Sequence, residues 1–211
     1  MTQIIPAILV HSAAEFESRL RTIEAEAPRI QIDVLDGTWQ PEKSWADPGL
    51  IGQMLSPAHF ELHLMVANPL QHLDAWTETT AVKMVYFHVE PVEDPKKVIE
   101  AIKFHGWQAG IAVAPETPLA DVAHLLPYVD DILFLTVHPG ASGRPFEQSV
   151  LEKIAECRTA TPTLAITVDG ALSAATIPAA KTAGATRFIV NGAIFNTPNP
   201  VAALATLAQL S

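Results

Sequence analysis

Residues 29–37 read Arg29-Ile30-Gln31-Ile32-Asp33-Val34-Leu35-Asp36-Gly37, and this stretch guides the interpretation of the whole chain. Alternating polar and apolar residues are typical of a β-strand, and this strand ends in two aspartates three positions apart. A buried carboxylate costs free energy unless it is paired, hydrogen-bonded or metal-bound, so these charges indicate a site. The alternative is that Asp36-Gly37 only forms a turn, which does not account for the earlier Asp33.

The pattern of a short apolar strand followed by a helical stretch occurs eight times. Strict alternation predicts a parallel sheet, because parallel strands need crossover helices. Eight units predict a closed (β/α)8 barrel as a single domain over residues 1–211. A doubly wound open sheet is the alternative, but no Gly-x-Gly-x-x-Gly follows the first strand. The predicted strands are residues 4–9, 30–34, 60–66, 82–87, 108–114, 131–137, 164–168 and 187–190.

Helix starts are predicted where Asp, Asn or Thr precedes proline, because the first residue caps the helix and proline fits its first turn. These pairs are Asp47-Pro48, Asn68-Pro69, Asp94-Pro95, Thr117-Pro118 and Asn199-Pro200. The remaining helices are predicted from apolar spacing over residues 15–26, 146–158 and 173–182.

The composition excludes several classes of partner. The chain has 211 residues, of which 49% are hydrophobic, and a formal net charge of -10, which argues against nucleic acid and against a basic membrane-binding face. A phosphorylated small molecule is still allowed, since it needs only a local group of N–H donors. No apolar run reaches about 18 residues and no signal-peptide pattern is present, so we expect a cytoplasmic protein without a membrane span.

Polar residues collect at the ends of the predicted strands, where (β/α)8 barrels place their active sites. Asp33, His63 and Asp169 together are enough to bind a divalent metal ion, although these residue types do not specify which metal. His88 and Glu90 follow strand four, and two interpretations stay open: they line the pocket, or they form only a hydrogen-bonded pair. The four tryptophans show no stacking periodicity, so no recognition role is predicted for them.

Three late loops combine small residues with glycines and predict a phosphate site. Small residues let backbone N–H groups approach an anion, and the loops after strands seven and eight are the usual phosphate position in these barrels. Ordinary turns would explain any one of these loops but account less well for three at one corner. The residues concerned are His138, Gly140, Ser142, Gly143, Arg144, Gly170, Asn191 and Gly192.

Six motifs follow one another in register from Ile5 to Phe195. They are Ile5-Pro6-Ala7-Ile8-Leu9, Asp33-Val34-Leu35-Asp36-Gly37, His63-Leu64-Met65-Val66, the loop from Thr136 to Arg144, Val168-Asp169-Gly170 and Asn191-Gly192-Ala193-Ile194-Phe195. In this order and spacing they resemble the ribulose-phosphate 3-epimerase family, within the ribulose-phosphate-binding barrel superfamily.

The resemblance implies an isomerase of carbohydrate metabolism, in the pentose phosphate pathway, that interconverts ribulose 5-phosphate and xylulose 5-phosphate. Asp33 and Asp169 match the family's two acid–base aspartates, one of which removes the C3 proton while the other reprotonates the opposite face of the enediolate. The family's divalent metal ligands match Gln31, Asp33, His63 and Asp169. Met65 matches a residue of the substrate pocket. A homo-oligomer is also implied.

Departures from the family pattern cluster in the site. Gln31 replaces a metal-binding histidine, and an amide oxygen is a poorer transition-metal ligand than imidazole. Ala7 replaces a serine, Leu35 and Leu135 replace methionines, and Ala171 replaces a glycine. Two alternatives therefore stay open: a related barrel enzyme that acts on another sugar with weak or absent metal binding, and a catalytically silent paralogue that binds a metabolite.

Overall fold

The protein is a closed parallel β-barrel, seen in a computed structural model that describes residues 2–139 and 145–210. Neighbouring strands pair in sequence order, and the last strand pairs with the first to close the barrel. This closure confirms the predicted (β/α)8 barrel and excludes the open sheet. The strands are β1 (Gln3–Ile8), β2 (Arg29–Leu35), β3 (His59–Met65), β4 (Val82–His88), β5 (Gln108–Val113), β6 (Asp131–Leu135), β7 (Ala165–Asp169) and β8 (Arg187–Val190).

Helices connect successive strands around the outside of the barrel. Within the described ranges, none of them has both the length and the apolar character needed to cross a bilayer. The helices are α1 (Ala13–Ile23), α2 (Pro48–Gln53), α3 (Leu70–Leu73), α4 (Pro95–Phe104), α5 (Leu119–Val122), α6 (Val150–Ala160), α7 (Ile177–Ala183), α8 (Gly192–Phe195) and α9 (Pro200–Ala208).

Five helix starts were predicted where Asp, Asn or Thr comes directly before proline, and three of them have the predicted cap. Asp47, Asp94 and Asn199 each accept a hydrogen bond from the backbone N–H three residues later, and proline follows each of them. The other two helices begin at the residue after proline, without a side-chain cap. At Thr117 the hydroxyl is used elsewhere, because it donates to Glu90.

The second half of the chain differs from the prediction at several places. The helix predicted over residues 173–182 begins at Ile177, and the strand predicted over residues 131–137 ends at Leu135. The helix predicted from residue 146 begins at Val150, because Glu147 N–H donates to Thr136 O and holds this segment near the end of β6. Residues 123–128 form a 3-10 helix, since Pro127 has no N–H with which to continue α5. The four-residue α8 was not predicted, because it is too short to show a helical period.

Two apolar layers form the core. One fills the space between the strands and the helices. The other fills the barrel interior, and it arises because alternate residues of each strand point inward. The interior residues are Ile5, Ala7, Met84, Tyr86, Ala112, Leu133, Leu135 and Ile189.

A buried polar network lies toward the N-terminal ends of the strands. Arg187 pairs with Glu61 and, at 3.0 Å, with Asp131. The same Asp131 oxygen accepts hydrogen bonds from Tyr86 at 2.9 Å and Thr167 at 2.8 Å. Burial raises the pKa of Asp131 to about 6, even though the charge of Arg187 opposes that shift. Both carboxylates therefore share the guanidinium of Arg187, while Arg29 also contacts Glu61 at 2.9 Å.

Candidate active site

Strand register brings three side chains of the predicted site together at the barrel mouth. Asp33 of β2 is paired with His63 of β3, and Asp33 Oδ1 lies 3.3 Å from His63 Nδ1. Asp169 ends β7, and its Oδ2 lies 3.4 Å from the same nitrogen. The donor atoms of these three residues all lie within 4.8 Å of one another. We call Asp33, His63 and Asp169 the mouth cluster.

The side chain of Gln31 places an amide group beside the mouth cluster. It lies two residues before Asp33 and therefore points into the barrel with it. Its Nε2 donates to Asp33 Oδ1 at 2.8 Å and to Asp169 Oδ2 at 2.9 Å, and it lies 3.4 Å from His63 Nδ1. Its Oε1 is buried and has no hydrogen-bond partner among the described residues. One amide group thus connects two carboxylates that come from distant strands.

The mouth cluster perturbs its own ionisation. Burial and the charge of Asp169 raise the pKa of Asp33, while His63 and Gln31 oppose that shift. Burial on its own lowers the pKa of His63, but hydrogen bonds to Asp169 and Asp33 outweigh it and raise that pKa to about 9. These hydrogen bonds therefore favour a protonated imidazole between the two carboxylates.

The donor atoms of the mouth cluster fit a divalent cation. Ligands about 2.1 Å from a cation are separated by about 3.0–3.4 Å in octahedral or tetrahedral geometry. The distances of 3.3 and 3.4 Å from His63 Nδ1 to the two carboxylate oxygens agree with this spacing. Gln31 contacts both carboxylates, but it turns N–H groups, which have no lone pair to offer, toward the cluster. The cation would therefore be held by Asp33, His63 and Asp169.

Behind the mouth cluster, His63 contacts a second histidine and an acid. His63 Nε2 lies 2.9 Å from His88 Nε2, and His88 Nδ1 lies 3.1 Å from Glu90 Oε2. The ring of Trp39 covers His88, with 4.4 Å between ring centroids. Sequence reasoning identified the His88–Glu90 pair but missed its link to His63 and the contact with Trp39. The link to His63 joins β3 to β4 across 25 residues and has no local signature in the sequence.

Part of the predicted phosphate site lies within the described residues. Gly170 has a φ of +110°, and a Cβ there would lie 2.7 Å from Val137 Cγ2, so only glycine fits. Ala171 also has a positive φ, of +47°, at a position where the family pattern has glycine. Asn191 Oδ1 accepts a hydrogen bond from Arg19 at 3.2 Å, immediately before Gly192 begins α8. Gly140, Ser142, Gly143 and Arg144 lie outside the described residues.

Three further residues have clear surroundings. Met65 ends β3 and is buried at the barrel mouth. His138 Nδ1 contacts Glu116 Oε1, and both side chains are about half exposed, so its described contact is not with the mouth cluster. Asp36 accepts a hydrogen bond from Thr38 N–H at 2.8 Å, as expected for a residue that shapes the turn at Gly37.

The fold is shared with solved structures of low sequence identity. 3-Hexulose-6-phosphate synthase superposes with a TM-score of 0.76 at 15% identity, covering 100% of this chain and 99% of that one. Orotidine 5'-monophosphate decarboxylase from Sulfolobus solfataricus gives a TM-score of 0.70 at 14% identity, covering 100% and 97%. At these identities the similarity concerns the barrel alone.

Proteins related in sequence identify the family more specifically than the shared fold does. Ribulose-phosphate 3-epimerase from Eremothecium gossypii is 34% identical over 205 residues, covering 91% of this chain and 85% of the relative. The enzyme of the same name from Mycobacterium leprae is 31% identical over 212 residues, covering 98% and 93%. The model of the ribulose-phosphate 3 epimerase family matches residues 3–195, which include all eight strands. The chain therefore belongs to the ribulose-phosphate 3-epimerase family.

Proposed function

We propose that this sugar-phosphate epimerase interconverts ribulose 5-phosphate and xylulose 5-phosphate, with Asp33 and Asp169 as its two acid–base groups. The observation that carries the proposal is the convergence of both carboxylates on His63 from β2 and β7. Inversion at carbon needs a proton donor and a proton acceptor on opposite faces of the substrate, because a single base on one face tends to return the proton to that face. Two carboxylates from different strands can supply this arrangement.

In the proposed reaction, one carboxylate removes the proton from C3 of the ketose phosphate and becomes a carboxylic acid. The electron pair of the broken C–H bond moves to give a 2,3-enediolate. The other aspartate begins as the acid and delivers its proton to the opposite face of C3, so the two residues exchange protonation states in each turnover. The raised pKa of Asp33 favours such exchange, because an acid–base group works best when its pKa lies near the working pH.

The remaining residues position the reacting groups. The N–H groups of Gln31 contact both carboxylates and fix their separation. A divalent cation held by Asp33, His63 and Asp169 would supply positive charge that stabilises the enediolate. We assign the substrate phosphate to the loops at Gly170, Asn191 and Gly192, together with the loop of residues 138–144, and a packing contact with the sugar to Met65.

A second candidate is a barrel isomerase that works on a related sugar without a cation. The observation that favours it is Gln31, whose amide hydrogens already contact both carboxylates. In this version, the amide and the imidazolium of His63 supply the positive electrostatic potential near the enediolate.

Incubation with ribulose 5-phosphate in D2O tests the proposal. We expect xylulose 5-phosphate that carries deuterium at C3, because the acid that reprotonates C3 exchanges its proton with solvent. NMR of the product measures both epimerisation and isotope incorporation, and parallel runs with a chelator and with added Mn2+ or Zn2+ distinguish the two candidates. A protein that neither epimerises nor exchanges this proton would overturn the proposal and favour the silent paralogue.

Replacing Gln31 with histidine is expected to strengthen cation binding. Imidazole offers a lone pair where the amide offers N–H, so the Zn2+ dissociation constant should fall by at least about tenfold. Isothermal titration calorimetry measures the change. Gln31→Met is the matched control, since it removes the amide without adding a ligand. Equal affinities for wild type and Gln31→His would show that residue 31 is not in the ligand shell.

A further inference from the structure

A continuous line of polar contacts runs from the mouth cluster to the loop after β5. His63 Nε2 lies 2.9 Å from His88 Nε2, and His88 Nδ1 lies 3.1 Å from Glu90 Oε2. Glu90 Oε1 accepts hydrogen bonds from Ala114 N–H at 2.7 Å and from the Thr117 hydroxyl at 2.6 Å. His63 and His88 are both buried. Each contact in the line therefore needs one donor and one acceptor.

The donor and the acceptor of each contact can be assigned by starting at Glu90. The Glu90 carboxylate only accepts hydrogen bonds, so His88 Nδ1 carries the proton that faces it. Two protonated ring nitrogens 2.9 Å apart would oppose each other, so one proton is shared between the two rings. Since His63 also faces two carboxylates, we place the charge on His63 and keep His88 neutral. His63 Nε2–H then donates to the lone pair of His88 Nε2.

This assignment has a consequence at the mouth cluster. With Nε2 of His63 committed as a donor to His88, the ring presents Nδ1 to Asp33 and Asp169. When His63 is neutral, Nδ1 therefore carries the lone pair, as a cation ligand requires. A histidine ligand usually gains its orientation and tautomer from a partner at its other nitrogen.

We infer that Glu90 and His88 are positioning residues that fix the tautomer of His63 and so hold its Nδ1 ready for a cation. The inference rests on the proposed function, because it takes the mouth cluster as the reaction centre. Glu90 is suited to this role because it is anchored from two sides. Lys153 Nζ strengthens that anchor, since it donates to the carbonyls of Ala114, Pro115 and Thr117.

Glu90→Gln tests the inference with almost no change of shape. The fixed N–H of Ala114 requires an oxygen opposite it, so the new NH2 group must face His88 Nδ1. His88 then carries its proton on Nε2 and repels His63 Nε2–H, which favours the His63 tautomer whose Nδ1 is protonated. We expect the Zn2+ dissociation constant to rise by about 10–100-fold, the magnitude typical of lost support behind a metal ligand.

Two measurements other than activity read out this effect. Nitrogen-15 NMR of the histidine rings in metal-free protein should show His88 protonated at Nδ1 in wild type and at Nε2 in Glu90→Gln. Competition with a chelator gives the Zn2+ affinity. Glu17→Gln is the control, because it makes the same change in an exposed pair with Arg21 on α1, outside the line, and we expect wild-type affinity and tautomer. Thermal unfolding confirms that both variants are folded.

The outcomes separate this inference from the proposed function. If Glu90→Gln keeps the wild-type His88 tautomer or the wild-type Zn2+ affinity, the inference is overturned, whatever the activity. If wild type fails to epimerise ribulose 5-phosphate but the tautomer and affinity change as expected, the positioning role stands and only the substrate assignment fails.

Discussion

Asp169→Asn is expected to lower kcat for the epimerisation of ribulose 5-phosphate by about a thousandfold, within the range that general acid–base groups contribute. The amide keeps the shape of the side chain but cannot carry the proton to or from C3. Asp33→Asn should have an effect of similar size, since each turnover needs both residues. A coupled assay of xylulose 5-phosphate formation measures the loss.

Isotope exchange tests the two-aspartate mechanism more directly than a change in kcat does. With one carboxylate left, the enzyme can still remove a proton from one face and return a solvent deuteron to the same face. Each single variant should therefore exchange the C3 hydrogen of one epimer without inverting it, and the two variants should select opposite epimers. Asp36→Asn is the matched control, because it makes the same change three residues beyond Asp33 in a group that shapes a turn. Near-wild-type turnover by Asp33→Asn or Asp169→Asn would contradict the two-aspartate mechanism.

Arg187→Met is expected to lower the free energy of unfolding by about 3–5 kcal/mol, the cost of removing one partner from a buried ion pair. Glu61 and Asp131 are fully buried and both pair with this guanidinium. Arg29 still contacts Glu61 at 2.9 Å, so Asp131 is the group left without a charged partner in the variant. Urea denaturation followed by circular dichroism measures the change.

The double variant Arg187→Met/Asp131→Asn serves as the control for this prediction. It removes the uncompensated charge together with the guanidinium, while the amide oxygen can still accept hydrogen bonds from Tyr86 and Thr167, so we expect it to recover much of the lost stability. Lys103→Met, in an exposed pair with Asp130, should leave stability almost unchanged. If Arg187→Met unfolds at the same urea concentration as wild type, the network does not support the barrel.

The barrel was predictable because its signals are local. Each strand is a short apolar run, and caps such as Asp47, Asp94 and Asn199 mark helix starts within a few residues. The position of Pro127 could have predicted the break in helix five, whereas the hydrogen bond from Glu147 to Thr136 joins two elements and has no local signature.

The residues of the site were predictable from the sequence, but the contacts between them were not. Asp33, His63 and Asp169 stand out because charge at the end of an apolar strand is costly. The direction of the Gln31 amide depends on Asp169, which lies 138 residues away, and a one-dimensional pattern carries no such information. The pairing of Arg187 with Glu61 spans 126 residues and was likewise beyond the reach of sequence reasoning.

The contact between Trp39 and His88 gives the enzyme an optical probe of its own. The Trp39 indole lies against a ring that itself touches a mouth-cluster residue, so a shift of either ring alters its emission. The other tryptophans have different surroundings: Trp76 is buried, Trp45 packs on Phe16 and Trp107 packs on His105. The difference between the spectra of wild type and Trp39→Phe therefore isolates one fluorophore, and cation or sugar-phosphate binding can be followed in unlabelled protein.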